Sequence, residues 1–238
     1  MTPSVLHRDD ALLVLAKPAG MLAQADRTGD LDVLTWAKQW ASQETNPTTP
    51  PQADDGSPFV GLVHRLDRPT SGIMALARNP QAAQALSRQF RERTVEKRYL
   101  ALVEGTLSGI GSWTDTLAKV DGTPQRVAAH HPQGKHAALT WQALAQDAGT
   151  TLLQIQLQTG RPHQIRLQGA VRGHPVVGDT RYGAAPALPG TIALHHALLR
   201  LEHPTSRRMQ AFTTPVPDAW TDVLPDSLRP VLERLVLQ

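Results

Sequence analysis

The order of apolar runs predicts an α+β chain, built on a mixed, mainly antiparallel sheet with flanking helices. Three observations point there. Short runs suited to strands outnumber helical stretches, the helical stretches fall between them with no regular βαβ period, and no internal repeat is visible. Residues 11–17, ALLVLAK, form a short apolar run ending in a Pro-Ala-Gly turn, as a covered strand would. Asp30 can cap a helix over about 31–43, in which Leu31, Leu34, Ala37, Trp40 and Ala41 share a face. The segment from Glu44 to Pro58, ETNPTTPPQADDGSP, has almost nothing to bury and reads as an exposed, mobile loop. It is an insertion within one domain, 1–238, and not a boundary.

Strands are expected at 59–63 (FVGLV) and 73–77 (IMALA), separated by the polar turn HRLDRPTSG. Asn79-Pro80 then opens a helix with an N-cap and a proline at its first position. That helix should pack through Ala83, Leu86 and Phe90, leaving Arg88, Arg91 and Arg93 on a solvated face. Lys97 to Glu104 alternates as a strand and sends Lys97, Tyr99, Ala101 and Val103 to one surface. Further strands are expected near 136–145, 151–158, 194–201 and 209–213, with a short helix at 162–173 ended by Gly173 and two short helices closing the chain.

At 238 residues the chain can bury a core without covalent staples, and its Cys count of 0 excludes both disulfides and thiolate chemistry. The amino terminus lacks the charged-then-apolar order of a secretory signal, and no run approaches the length of a membrane span, so a cytoplasmic protein is expected. A monomer is the default at this size. A net charge of +3 argues only weakly for a polyanionic partner, but the basic residues comprise nineteen arginines and five lysines. Arginine suits bidentate phosphate contact and base stacking, although genome composition explains such an excess equally well.

Three features can carry chemistry. In HRLDRPTSG the carboxylate Asp67 sits on a turn between strands with Arg65 and Arg68 beside it, and Thr70 and Ser71 can stiffen that turn through side-chain hydrogen bonds. Neighbouring guanidinium charge favours the ionised carboxylate, which suits a nucleophile; a loop aspartate that merely pairs with arginine is the bland alternative. In TGRPHQIRLQG, Arg161, His163 and Arg166 gather near one helix start. An arginine aimed from a helix into a cleft can hold a carboxylate through two parallel hydrogen bonds, or can bind phosphate, or can be structural. Tyr99 offers a flat ring and an exchangeable proton, although most strand tyrosines simply pack.

The strings HRLDRPTSG, KRYLALVEG, TGRPHQIRL and GHPVVGDTRYG occur in the order that resembles the RluA-type pseudouridine synthase family. VLHRDDALLVLAKPAGM looks like that family's opening strand and turn, and LHHALLRLEHPTSRRMQAFTTPVP like its closing strands. The resemblance implies the pseudouridine synthase fold with a central catalytic cleft, and an isomerase that converts uridine in structured ribosomal or transfer RNA. It implies that Asp67 is the catalytic aspartate, Tyr99 the active-site tyrosine and Arg166 the basic partner of Asp67. Ile165 becomes the apolar wall against the base, and Arg65 the arginine that fills the gap left by a flipped nucleotide. Gln168 departs from the pattern where many relatives have histidine.

Too few residues precede Leu12 for the S4-like domain of many relatives, so RNA contacts are expected from His64, Arg68, Lys97, Arg98, Arg161 and Arg181. No cofactor and no metal are implied, in keeping with the absence of GxxxxGK[ST], GxGxxG and HExxH strings. A metal-dependent hydrolase using some of the ten histidines is one rival, though their spacing matches no zinc pattern. A catalytically idle RNA-binding or RNA-folding protein on the same scaffold is the other.

Overall fold

The computed structural model describes residues 2–43 and 56–236, so most of the expected loop at 44–58 lies outside the described residues. In chain order the elements are β1 (Ser4–Arg8), β2 (Leu12–Lys17), α1 (Val33–Ser42), β3 (Gly61–Leu62), β4 (Ser71–Ala77), α2 (Pro80–Glu92), β5 (Glu96–Glu104), β6 (Ile110–Val120), β7 (Thr123–Val127), β8 (Lys135–Asp147), β9 (Thr150–Leu157), α3 (Gln164–Ala170), β10 (Leu194–Glu202), β11 (Met209–Thr213) and α4 (Arg229–Val236). Two compact units divide the chain, Met1–Glu96 with Leu198–Thr214 and Lys97–Ala197 with Pro215–Gln238. Strands predominate and their pairings are mainly antiparallel, as the α+β reading expects.

In the first unit β2 pairs antiparallel with β1 on one side and β4 on the other, and β3 adds two residues to β4. All seven residues of β4 are buried. A strand covered on both faces has no reason to alternate, which is why IMALA reads as an unbroken apolar run. Helix α2 starts at Asn79, whose side chain accepts from Ala82 N at 2.8 Å, and stops where Arg93 turns left-handed at φ 62. Its Leu86 packs with Ile73, Ala75 and Ala77 of β4 and with Leu199 and Leu201 of β10. The Gln89 amide then binds both backbone groups of Glu202, at 2.7 and 3.0 Å, locking the helix in register with β10.

Helix α1 departs from expectation. Its cap is Asp32, which accepts from Thr35 N at 3.1 Å and Thr35 Oγ1 at 2.6 Å, and not Asp30, whose carboxylate is taken by Arg68 at 2.6 Å. Leu31 therefore precedes the helix and stays exposed, and the buried stripe is Val33, Ala37 and Ala41. The run 59–63 yields only the two residues of β3, where Gly61 faces Ala83 and the Phe59 ring so closely that a Cβ would lie 3.2 Å from each.

The second unit is an antiparallel sheet in the order β5-β9-β8-β6-β7. Strands β1, β6 and β7 are not among the strands expected from local periodicity. In β6, IGSWTDTLAKV, only Trp113, Leu117 and Ala118 are buried, so polar residues dilute the alternation, and the strand exists because β8 and β7 pair with it. Helix α3 is shorter than 162–173, ending at Ala170 with Val171 as its C-cap, short of the expected Gly173. It lies against β6 through Gln168 and Arg172, which reach the Asp115 carboxylate at 2.7 and 2.8 Å. The close of the chain holds one α-helix, α4, after two short 3₁₀ helices, 218–222 and 226–228, instead of two α-helices. Among the described residues no helix is long and apolar enough to cross a membrane.

The α1 cap gives a direct check. Asp32→Ala should cost about 1 kcal/mol of unfolding free energy, whereas Asp30→Ala, which removes an exposed ion pair, should cost less than about 0.5 kcal/mol, measured by chemical denaturation.

Candidate active site

In the first unit Asp67 stands half-buried at the end of a turn fixed from both sides. Thr70 N donates to Asp67 O at 3.0 Å, closing the turn through the backbone. The Thr70 hydroxyl, expected to help, is instead buried without a hydrogen-bond partner among the described residues. The next residue, Arg68, is tied to the Pro18-Ala19-Gly20 turn after β2. Gly20 N donates to Arg68 O at 2.8 Å, and Arg68 Nε returns a bond to Gly20 O at 3.0 Å. Gly20 has φ +84, a left-handed conformation that this close exchange requires.

Beneath both turns lies Lys17, the last residue of β2 and only 1% exposed. Its ammonium donates to Met21 O at 2.7 Å, Pro18 O at 3.0 Å and Arg68 O at 3.2 Å. Burial pushes its pKa down to about 7, while the negative charge of Asp67 pulls it upward and Arg68 pushes it further down. Lys17 carries no functional expectation from sequence, because a lysine ending a strand normally reaches solvent. Its one visible signal is its place directly before Pro18 in an otherwise apolar run.

The neighbours of Asp67 divide by role. His64 Nε2 accepts from Ala75 N at 2.9 Å and its ring stacks on Phe90 at 4.4 Å, so this side chain anchors the turn to β4 and α2. Leu66 is buried and Arg65 is exposed. Arg68, expected as a phosphate contact, spends its guanidinium on Asp30 and Gly20 O.

In the second unit Tyr99 sits on β5 opposite Ile155 of β9, 7% exposed. Its ring lies flat on that of His196, with centroids 4.5 Å apart and planes 17° apart. His196 was read from sequence only as one of many histidines. Arg166 projects from α3, 4% exposed, and holds a carboxylate bidentately, Nε to Asp179 Oδ2 at 2.6 Å and Nη2 to Asp179 Oδ1 at 2.9 Å. The geometry is the one expected for this arginine. One carboxylate it holds is that of Asp179, a residue of GDTRYG for which no role was expected. Its pairing is invisible in sequence because the two side chains come from separate segments.

Tyr182 completes this side. Its ring lies under the Arg166 guanidinium at 5.2 Å, and its hydroxyl meets His163 Nδ1 at 2.8 Å. The loop before α3 is built on Gln164, whose Oε1 accepts from Thr159 Oγ1 at 2.7 Å and Arg161 N at 3.0 Å while Nε2 donates to Ala138 O at 3.1 Å. His163 takes a left-handed φ of 53 to allow this. Ile165 is buried; Arg98 and Arg181 are exposed; Lys97 is half-buried; and Arg161 donates from Nε to His136 O at 2.9 Å. Gln168, the departure from the family pattern, is wholly buried, with its amide nitrogen on Asp115 and its Oε1 unpartnered among the described residues. No group of three or more His, Asp or Glu among the described residues could hold a metal ion.

Comparisons with known proteins bear on the whole arrangement. Residues 11–170 match the family model described as RNA pseudouridylate synthase. The chain is 31% identical to ribosomal large subunit pseudouridine synthase D of Vibrio cholerae, over 90% of this chain and 68% of that protein. It is 28% identical to the Haemophilus influenzae protein of the same name, over 93% of this chain and 69% of the relative. Among solved structures it resembles human RNA pseudouridylate synthase domain containing 4, with a TM-score of 0.74 and 22% identity, covering 96% of this chain and 92% of that one, a likeness in fold.

Lys17 yields a pH dependence with a defined sign. The unfolded chain keeps its lysine proton up to about the ordinary 10.5, whereas the folded chain releases it above about 7. The unfolded state therefore binds more protons between these values, so stability rises with pH through that window. Wild type should gain stability relative to Lys17→Met between about pH 7 and about pH 9 in chemical denaturation. A difference that does not change with pH would show that the folded amine keeps its proton.

Proposed function

The chain belongs to the RNA pseudouridylate synthase family, and on that premise we propose that it isomerises a uridine of structured ribosomal RNA with Asp67 as the nucleophile. As a family member it is an isomerase, making pseudouridine in RNA. We assign the large-subunit RNA as substrate because the relatives from Vibrio cholerae and Haemophilus influenzae carry that substrate in their names. One observation carries the residue assignment. The family match over 11–170 includes Asp67, whose backbone closes a turn with Thr70, Tyr99, whose ring stacks on His196, and Arg166, whose guanidinium is held by Asp179.

The reaction breaks N1–C1′ and makes C5–C1′; a proton leaves C5, one is gained at N1, and the formula is unchanged. The target base is first turned out of its stack, at a cost of roughly a few kcal/mol. Arg65, exposed two residues before Asp67, offsets part of that cost by filling the vacancy. Asp67 attacks C1′ and uracil departs with the bonding electrons. The uracil turns, C5 attacks C1′, and the carboxylate leaves. Tyr99, backed by the flat His196 ring, supplies the stacking surface, and Ile165 the apolar wall. Arg166 supplies positive charge to the anionic groups, its plane fixed by Asp179 so that no reorganisation is needed during reaction. Attack at uracil C6 and proton removal at C2′ are the competing routes. No step calls on a cofactor or a metal, and none calls on a second copy of the chain or a protein partner.

Asp67→Asn keeps the shape and removes the nucleophile. Pseudouridine formation should fall by a factor on the order of 10⁴ or more while RNA affinity is retained. Substantial turnover by this variant would remove Asp67 from its role, and a wild-type chain that binds RNA without forming any pseudouridine would leave an RNA-folding protein. Pseudouridine maps of total RNA from cells with and without the gene should differ at a large-subunit position. A difference confined to transfer RNA would overturn the substrate assignment.

A further inference from the structure

The second unit holds a cavity of about 470 Å³ at the end of α3 nearest Arg161, within the roughly 300–1,000 Å³ range of sites that take small ligands. Strand register explains its composition. Leu117 and Lys119 are two apart on β6 and so share a face; Lys135 of β8 is the partner of Leu117, and Pro124 of β7 is the partner of Lys119. All four side chains thus rise from the same side of the sheet. This is the side on which α3 lies, since Asp115, two further residues back along β6, receives Gln168 and Arg172. Where α3 begins, the loop carrying Arg161 and Pro162 walls the opening.

The lining has two parts. Leu117, Pro124 and Pro162 give an apolar floor, while Lys119, Lys135 and Arg161 give a cationic rim. Among the described residues neither lysine has a carboxylate partner, and Arg161 commits only its Nε, to His136 O. The acidic group on this face, Asp115, is already neutralised by Arg172 at 2.8 Å and Arg126 at 3.8 Å. An apolar cup with a rim of three uncompensated cations suits a flat apolar body bearing negative charge at its edge. Gln133, also on the rim, presents a donor and an acceptor together.

We infer that this cavity is a subsite for one unpaired nucleotide of the RNA, away from the uridine that reacts, seating its base on Leu117, Pro124 and Pro162 and its phosphates on Lys119, Lys135 and Arg161. The inference rests on the proposed RNA substrate and adds to it a second, single-stranded recognition point. It makes the enzyme select a target by an unstacked neighbour as well as by the reactive uridine, because a base held in a duplex cannot enter the cup. Base contact and phosphate contact are both needed, which separates this site from a general basic surface.

The test uses the full chain and a labelled pentauridylate, a duplex RNA of equal length, and a base-free ribose-phosphate pentamer. Lys119→Gln with Lys135→Gln is the site variant; Arg88→Gln with Arg91→Gln, exposed on α2, is the control of equal charge change. Wild type should bind pentauridylate more tightly than the base-free pentamer. The site variant should lose about tenfold in pentauridylate affinity, with the slope of log affinity against log salt falling by about 1.4 for two single-strand phosphate contacts. The control should change neither. Crosslinks from a 4-thiouridine pentamer should map to 117–124 and 133–135.

Equal losses in both variants, equal binding of the base-free pentamer, or an equal loss on the duplex would each overturn the subsite. Melting temperatures of both variants matching wild type guard against misfolding as the cause. Failure here is distinct from failure of the proposed activity. Wild type forming pseudouridine without cavity-dependent binding removes the subsite alone, and cavity-dependent binding without pseudouridine removes the activity alone.

Discussion

A buried ammonium holds the turn that displays Asp67. Lys17 brings one positive charge into the floor beneath two loops and divides it among three carbonyl oxygens, one of them belonging to Arg68, the residue after the carboxylate. Removing an ion from water is costly, and these three bonds together with the charge of Asp67 offset only part of that cost, so burial still holds the pKa down to about 7. The same bonds remove the freedom of the Pro18-Ala19-Gly20 turn and of the segment leading to β4. The Asp67 backbone is thereby set by the end of β2, through the pairing of Lys17 with Gly72.

The second unit uses the same device with other residues. Arg166 and Asp179 are both nearly dry, and their pairing leaves neither charge uncompensated. Around them Gln164 nails the preceding loop to β8, while Asp115 collects Gln168 and Arg172 and so holds α3 to β6. A seven-residue helix has little stability of its own. Here its position follows from side-chain hydrogen bonds at both ends, which makes it a stiff support for a charged group that has to keep its direction.

These pairings also change the meaning of the chain's arginine content. Arg68, Arg166, Arg172 and Arg207 are bound to Asp30, Asp179, Asp115 and Glu202, so the count of basic residues overstates the charge available to RNA. Of the expected RNA contacts, Arg65, Arg98 and Arg181 are exposed, His64 is built into the first unit, and Arg161 keeps terminal nitrogens beside the cavity that also holds two of the five lysines. Position relative to a carboxylate, which composition does not encode, decides which cations are already paired.

By itself the sequence determined the α+β class, strands β2, β4, β5 and β8 to β11, the Asn79 start of α2 and the placing of Asp67 on a turn between strands. These follow from local periodicity and from residues whose preferences act within a few positions. The ordered strings also determined the family, and with it Asp67, Tyr99 and Arg166 as the residues of interest. Only tertiary structure decided that Asp32 and not Asp30 caps α1, that β6 and β7 are strands, that Lys17 is buried, that His196 backs Tyr99 and that Asp179 clamps Arg166. In each case the deciding contact comes from a separate part of the fold or from a competing partner. Asp30 is drawn off by Arg68, 38 positions away, and Arg166 meets Asp179 only because α3 and the loop before β10 are both fixed against other elements. Hydrogen-bond geometry and desolvation select those partners in space, and neither leaves a period or a spacing in the chain.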